Sequence, residues 1–519
     1  MRKLIYLFSI VSIATFFTSC SDKLDTEPTS QVSGTIIFND AQSAQTAING
    51  IYRMMFGSTF VSGNYDQAYG QSGAIITQDV MGEDMVLNTA NWFTFDYQLI
   101  YSKMYNNRSA RPYFYWNYFY TLISNVNYIT AEDGKIQGDQ ELAKEVVAQA
   151  YAMRAWCYFN LIQLFQQTYI GNEQNKGVPL YTEPTVAASE GKGRGTVEKT
   201  YIQINEDLKR AIDLFTEIGK PVQRHCSHID YYVANAIKAR VALVQNQWKE
   251  AYDAAAEALK RPGMDIMSAD EITKGMNDKA SSSWLWALEI ISDQSPRVGF
   301  GSFFCHMDKD AAYGSNPRKS ISNWLYDQLP NTDVRKQYWW HGKTGGDVAY
   351  GQEKFLAKDL ASRSGDLVLA RGEEMLLIQA EAKCHLNDFI GAADLLKDLA
   401  AERQTSSDAM AVYSSKLNSL IKSADLTPNT TTAPVTLLDE VIFQRRVELW
   451  GEGFRIFDLL RLKQGYNRKW QGTNHTVLLP NSNIKTDVYP CTDFIMLIPQ
   501  TEFNGNNALN PSLDQNPTE

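Results

Sequence analysis

The chain has 519 residues with a formal net charge of −10, and it carries 27 Tyr and 11 Trp, an aromatic share of 12%. An acidic balance of this kind excludes a broad phosphate-binding face, and nucleic acid with it as a partner. The aromatic load instead marks flat ring surface as the means of binding.

At the N-terminus, Arg2 and Lys3 precede an apolar run from Leu4 to Phe17, and Thr18 and Ser19 lead to Cys20. Residues 1–19 therefore read as a secretory signal peptide, too short to span a membrane. Residues 20–35 are polar and irregular, as suits a tether. The body that follows reads as one integrated fold with an N-terminal region over 36–261 and a C-terminal region over 262–519. Its five cysteines, Cys157, Cys226, Cys305, Cys384 and Cys491, are odd in number and widely spaced. They suit free buried thiols better than a disulfide framework, and none has the spacing of a zinc site, so no metal or cofactor is expected.

Helical periodicity begins near Asp40 with Ala41, Ala44, Ile48, Ile51 and Tyr52 on one face. Residues 57–110 mix glycine, asparagine, serine and aromatics without a period, which predicts long ordered loops. Helices are expected again over 113–129, from about 140 to 165, and over 197–218, the last capped by Thr196. A repeat signal then emerges. Ala239, Ala242 and Leu243, a short Gln245-Asn246-Gln247 turn, and Trp248, Ala251 and Ala255 are echoed by Ala382, the Leu386-Asn387-Asp388 turn, Phe389 and Ala392. Paired helices with small residues at their contact follow the tetratricopeptide pattern.

Between these units, residues 262–371 form a second loop-rich block. Residues 284–290 alternate like a strand, with Trp284 and Trp286 on one face and expected in the core. The stretch Gln444 to Arg461 holds the most organised charge in the chain. Arg445 with Glu448, Glu452 with Arg455 and Asp458 with Arg461 are all spaced i,i+3, and Gly451 and Gly453 break the helix between them. A salt-bridged helical corner is the expectation, structural rather than catalytic, so that Arg455→Ala or Asp458→Ala should damage stability more than binding.

Several segments carry a resemblance to one family: Arg154-Ala155 with Tyr158-Phe159, Gly177-Val178-Pro179-Leu180, Thr196-Val197, the 445–461 pattern, and the closing Ile498-Pro499, Asn510-Pro511 and Gln515-Asn516-Pro517. Together they resemble the SusD/RagB family of Bacteroidetes surface lipoproteins, over essentially the whole mature chain. Gln444 departs from the common glutamate, and Thr518-Glu519 from the usual ending. The resemblance implies a mainly α fold with four tetratricopeptide-like helix pairs and a loop-rich, partly β ligand-binding region. It further implies lipidation at Cys20, an outer-membrane, cell-surface location, and work as the lid of a SusC-like TonB-dependent transporter.

Sugar rings present apolar C–H faces, so an oligosaccharide ligand needs exposed aromatics beside amides or acids. Trp92 with Asn91 is the first candidate, Asn88 and Asp96 standing near. Tyr65 and Tyr69 in the first block, and Tyr313, Trp339, Trp340 and Phe300 in the second, are the others. No catalytic pair is expected. Glu83-Asp84 and Glu373-Glu374 are adjacent rather than opposed carboxylates and read as solvated surface. The competing readings are a helical-repeat adaptor for protein partners, and uptake of peptide rather than glycan.

Overall fold

The computed structural model describes residues 40–57, 60, 66–103, 111–186, 188–291, 301–343, 348–423, 427–479 and 483–517. Cys20, the tether, Tyr65 and Phe300 lie outside them. The fold is mainly helical with little sheet. Asp40 caps α1 (Ala41–Met54) by accepting from the Gln42 and Ser43 amides. Next come α2 (Gly70–Val80), α3 (Arg111–Thr130), α4 (Gln140–Phe165), α5 (Val197–Glu217), α6 (Tyr231–Val244) and α7 (Trp248–Leu259). Thr196 caps α5 through the Lys199 amide, as its position in the sequence predicts.

The helix α2 is where the expectation of long loops fails. Every one of its residues is buried, so no polar face exists to give it a period. The same holds for α4, whose interior is buried almost all round and whose Trp156 meets Trp286 edge to face, centroids 5.4 Å apart.

The repeat units appear as α6–α7 and as α8 (Gly372–His385) with α9 (Phe389–Ala401). Asn246 and Asn387 take φ values of 54° and 61° in the connecting turns, a conformation asparagine tolerates better than most residues. Helices α7 and α8 pack on each other, and α10 (Ser407–Ser419) and α11 (Leu437–Glu448) close a second apolar core over α8 and α9. Two small antiparallel sheets complete the frame. Strand β1 (Met85–Leu87) pairs with β3 (Lys319–Ile321), and β2 (Trp284–Leu288) pairs with β4 (Leu367–Arg371) through a bulge. Trp284 and Trp286 are buried, as their shared face predicts. No described helix is long and apolar enough to cross a membrane.

The charged stretch ends α11 and turns into α12 (Arg455–Arg461) through Gly451 and Gly453, with φ of +83° and +87°. Asp79 seats this corner by accepting from the Gly453 and Arg455 amides at 3.1 and 3.2 Å. Burial pushes its carboxyl up to about 7, against the pull of those two N–H groups.

Of the three expected i,i+3 pairs only Asp458–Arg461 forms, at 2.7 Å. Arg445 instead reaches Asp458 at 2.8 Å, and Arg455 donates to Glu83. Glu448 takes Arg335, Arg371 and Arg403 at 2.8, 2.8 and 2.9 Å. The reason is burial: a charge removed from water needs several partners at once, and the neighbouring turn supplies only one. Glu83, Asp84, Glu373 and Glu374 correct another expectation, for none is a solvated surface group. Asp84 pairs with Arg446, Glu373 with Arg371, and Glu374 with Arg240. Burial would raise the Glu83 carboxyl, but Arg455 and Arg446 hold it down to about 2.

The described cysteines are free, four of them buried and Cys226 half-buried. Burial pushes their thiols up, which makes them poor nucleophiles.

Candidate functional site

Trp92 and Tyr313 are 221 positions apart in the chain, yet their rings lie 4.3 Å apart between centroids, tilted by 41°. Both are half-buried, and Asn91 beside them is exposed. The local chain explains the geometry. Thr94 accepts from the Asn91 amide at 2.6 Å, and Phe93 takes a left-handed φ of 64°. That turn sends Phe93 into the core while Trp92 stays at the surface. On the other side, Gly314 lets the 311–317 loop fold onto Asp308, because a Cβ there would lie 1.8 Å from the Asp308 carbonyl oxygen. Asn91 Nδ2 donates to the Asn316 carbonyl at 3.3 Å and Thr89 to Asn316 Oδ1 at 2.7 Å, which ties the two loops together.

The pair stands on a rigid base. His306 is fully buried, 5.1 Å from the Tyr313 ring and 5.0 Å from Phe93, and Nε2 bonds the Asp66 carbonyl at 2.6 Å. The Tyr313 hydroxyl donates to Asp66 at 3.1 Å, and burial with the Asp66 charge pushes it up to about 12, so it remains a neutral donor. Beneath, Arg111 lies over Phe93 and grips Asp96 with two hydrogen bonds of 2.8 Å. Asp96 is therefore consumed by the scaffold rather than offered to a ligand.

Three sequence candidates are not available at the surface. Trp339 and Trp340 are 0% and 2% exposed. They follow a one-turn helix (Val334–Tyr338), Trp339 as its cap and Trp340 in an isolated bridge to Gln352, and pack edge to face with each other. Trp339 donates to the Ile272 carbonyl and lies under the Lys354 ammonium; Trp340 packs edge to face on Trp450. Tyr69 is buried as well, its ring occupying the space a Cβ at Gly301 would fill.

The sequence pattern gives no warning of a 370 Å³ cleft in which half-buried Trp324 and Trp470 line a wall with Thr430, Asn467, Glu83 and Arg446. Its link to the ring pair is Thr476, which donates to the Asn88 carbonyl. Only the fold brings positions 324 and 470 together. Their neighbours Asn323 and Gln471 are the one sequence signal, polar residues beside an aromatic in irregular chain.

The one group of metal-ligating side chains within reach among the described residues is His225, Cys226 and Glu289, with ligand atoms within 4.8 Å. Protein groups already occupy it. Glu289 pairs with Lys279 at 2.5 Å and with His225 Nε2 at 2.8 Å, while Ser227 bonds His225 Nδ1.

Residues 24–243 match a SusD-like family model described as starch-binding associating with outer membrane, and residues 311–518 match the SusD/RagB model, described as the SusD family. No curated protein sequence matches the chain. Among solved structures, a SusD-like carbohydrate binding protein from Bacteroides vulgatus superposes with a TM-score of 0.73 at 24% identity, covering 91% of this chain and 98% of that one. A SusD superfamily protein from Bacteroides thetaiotaomicron gives 0.73 at 23%, with 92% and 100% covered. A laminarin binding SusD-like protein gives 0.65 at 18%, with 93% and 100% covered.

Proposed function

The chain belongs to the SusD/RagB family, and on that premise we propose that it is a non-enzymatic surface lipoprotein that captures an oligosaccharide on the Trp92–Tyr313 pair. It then works as the lid of a SusC-like TonB-dependent outer-membrane transporter, anchored through lipidated Cys20. The observation that carries this reading is the ring pair itself: two surface aromatics from remote loops, held edge by edge on a hydrogen-bonded base, with an exposed amide at their rim. Stacked rings supply apolar area for a sugar's C–H face, and Asn91 supplies both a donor and an acceptor for hydroxyls. The Trp324–Trp470 cleft offers the same chemistry, two indoles beside polar side chains.

Family membership and the glycan-binding names of similar structures support the ligand class. Among the described residues at the ring pair, Asp96 is gripped by Arg111 and Asp66 accepts from the Tyr313 hydroxyl, so the two are engaged by the scaffold rather than set as opposed acids for glycoside hydrolysis. Calorimetric titration of native protein and of Trp92→Ala and Tyr313→Ala against a panel of oligosaccharides tests the site. Each substitution should weaken binding of the recognised glycan by about 1–2 kcal/mol, or about 5- to 30-fold. Native affinity in both variants would reject the site. Recovery of the protein from outer membranes without a TonB-dependent transporter would reject the lid role.

A further inference from the structure

A groove of about 740 Å³ opens along α3 and shares no residue with the ring pair. Tyr113, Trp116 and Tyr120 recur at i, i+3 and i+7, so one stripe of the helix presents three aromatic rings to it. Trp116 is the floor: only 5% exposed, it donates to Glu502 at 2.9 Å and lies 4.8 Å from the Tyr120 ring. Tyr120 is fixed by donating to the Pro179 carbonyl at 2.8 Å. The opposite wall is Tyr181, edge-on to Tyr120 at 5.9 Å, its hydroxyl accepting from the Lys192 amide and its ring under the Lys192 ammonium. Glu502 is held in turn by Asn506 Nδ2 at 2.8 Å.

We propose that this groove is a second carbohydrate site, which takes a neutral oligosaccharide. Three features point to that chemistry. The walls are aromatic and held in place by hydrogen bonds at their polar ends, so rings stand ready to stack at little entropic cost. The rim hydroxyls of Tyr113 and Ser124 and the Glu183 carboxylate have no hydrogen-bond partner among the described residues, which leaves donors and acceptors for sugar hydroxyls. Glu183, Glu190 and Glu502 outnumber Lys192 along the lining, so the groove repels uronates and sulfated chains. The volume lies within the ordinary range of small-molecule sites and accommodates several sugar units. A chain bound at both places would gain avidity without any new contact, provided it can span them.

The proposal stands apart from the Trp92–Tyr313 reading and is tested beside it. Maltoheptaose, laminarihexaose, cellohexaose, xylohexaose and mannohexaose are titrated into the native protein, into Trp92→Ala/Tyr313→Ala and into two groove variants. One groove variant is Tyr113→Ala; the other is Ser124→Trp, which fills the groove from a partly exposed helical position with little demand on the fold. The expected result is that both groove variants lose about tenfold or more in affinity for at least one of these glycans, with unchanged unfolding midpoints. Loss in the groove variants but not in the ring-pair variant would uphold the groove and reject the ring pair. Native affinity in both groove variants, or no binding of any of the five glycans by the native protein, would overturn the groove.

Discussion

Glu448 offers the sharpest test of what holds this fold together. Its carboxylate is fully buried and accepts four hydrogen bonds: one from Arg335 at 2.8 Å, one from Arg371 at 2.8 Å, and two from Arg403 at 2.9 and 3.0 Å. Burial alone would raise its pKa, yet Arg403, Arg371 and Arg335 hold it well below the usual carboxylate range. Glu448→Gln keeps the volume, but it removes the charge and turns one acceptor into a donor facing a guanidinium. Three arginines drawn from separate elements are then left sharing too few anions. Summing four charge-assisted bonds would overstate the cost, since they are not independent. The measured scale for breaking a buried pair, about 3–5 kcal/mol, is the better guide.

A chain of this size unfolds in urea with a steep slope of about 4 kcal/mol per molar, so the midpoint should drop by about 1 M. Tryptophan fluorescence suits the measurement, because Trp339, Trp340 and Trp450 lie in the core beside this network. Oligosaccharide affinity of the folded fraction should be unchanged. A midpoint within about 0.2 M of the native value would refute the idea that this cluster holds the elements of the C-terminal region together.

The pH dependence has a sign that can be checked at the corner. Because burial raises Asp79 to about 7, the stability linked to its protonated form is whole below about pH 4 and is lost as pH rises through 7. Relative to the native protein, Asp79→Asn should gain stability steadily from about pH 4 to 7; a constant difference across that window would contradict the assignment. His475 has the opposite sign. Burial pushes it down to about 3, so its share is whole above about pH 6.5 and lost as pH falls, and His475→Gln should flatten the acid side of the native profile. Gly451→Ala should destabilise more than Gly134→Ala. Both positions have positive φ, worth about 1–2 kcal/mol of strain, but a Cβ at 451 would also lie 2.3 Å from the Phe355 ring, whereas at 134 it meets open space. Equal urea midpoints for the two variants would show that the Phe355 contact yields freely.

Local pattern by itself determines much of this protein. The caps at Asp40 and Thr196, the turns at Asn246 and Asn387, the two glycines of the corner, and the burial of Trp284 and Trp286 all follow from chemistry within a few residues, where the backbone and its nearest side chains set the outcome. Family membership is legible for the same reason, since its segments are short and ordered along the chain.

Tertiary structure alone decided three other things. It chose the partners of the charges, replacing two expected i,i+3 pairs with contacts from Arg371, Arg403, Glu83 and Asp84, because a buried ion is stabilised by the number of partners around it rather than by the nearest in sequence. It hid α2, whose burial on all sides erased the period that would have announced it. And it sorted the aromatics. Trp339 and Trp340 sit in a run as loop-like as Trp92, yet they were drawn into the core while Trp92 met Tyr313 at the surface. An indole gains from burial wherever a cavity of its shape exists, and only the assembled fold specifies where those cavities are.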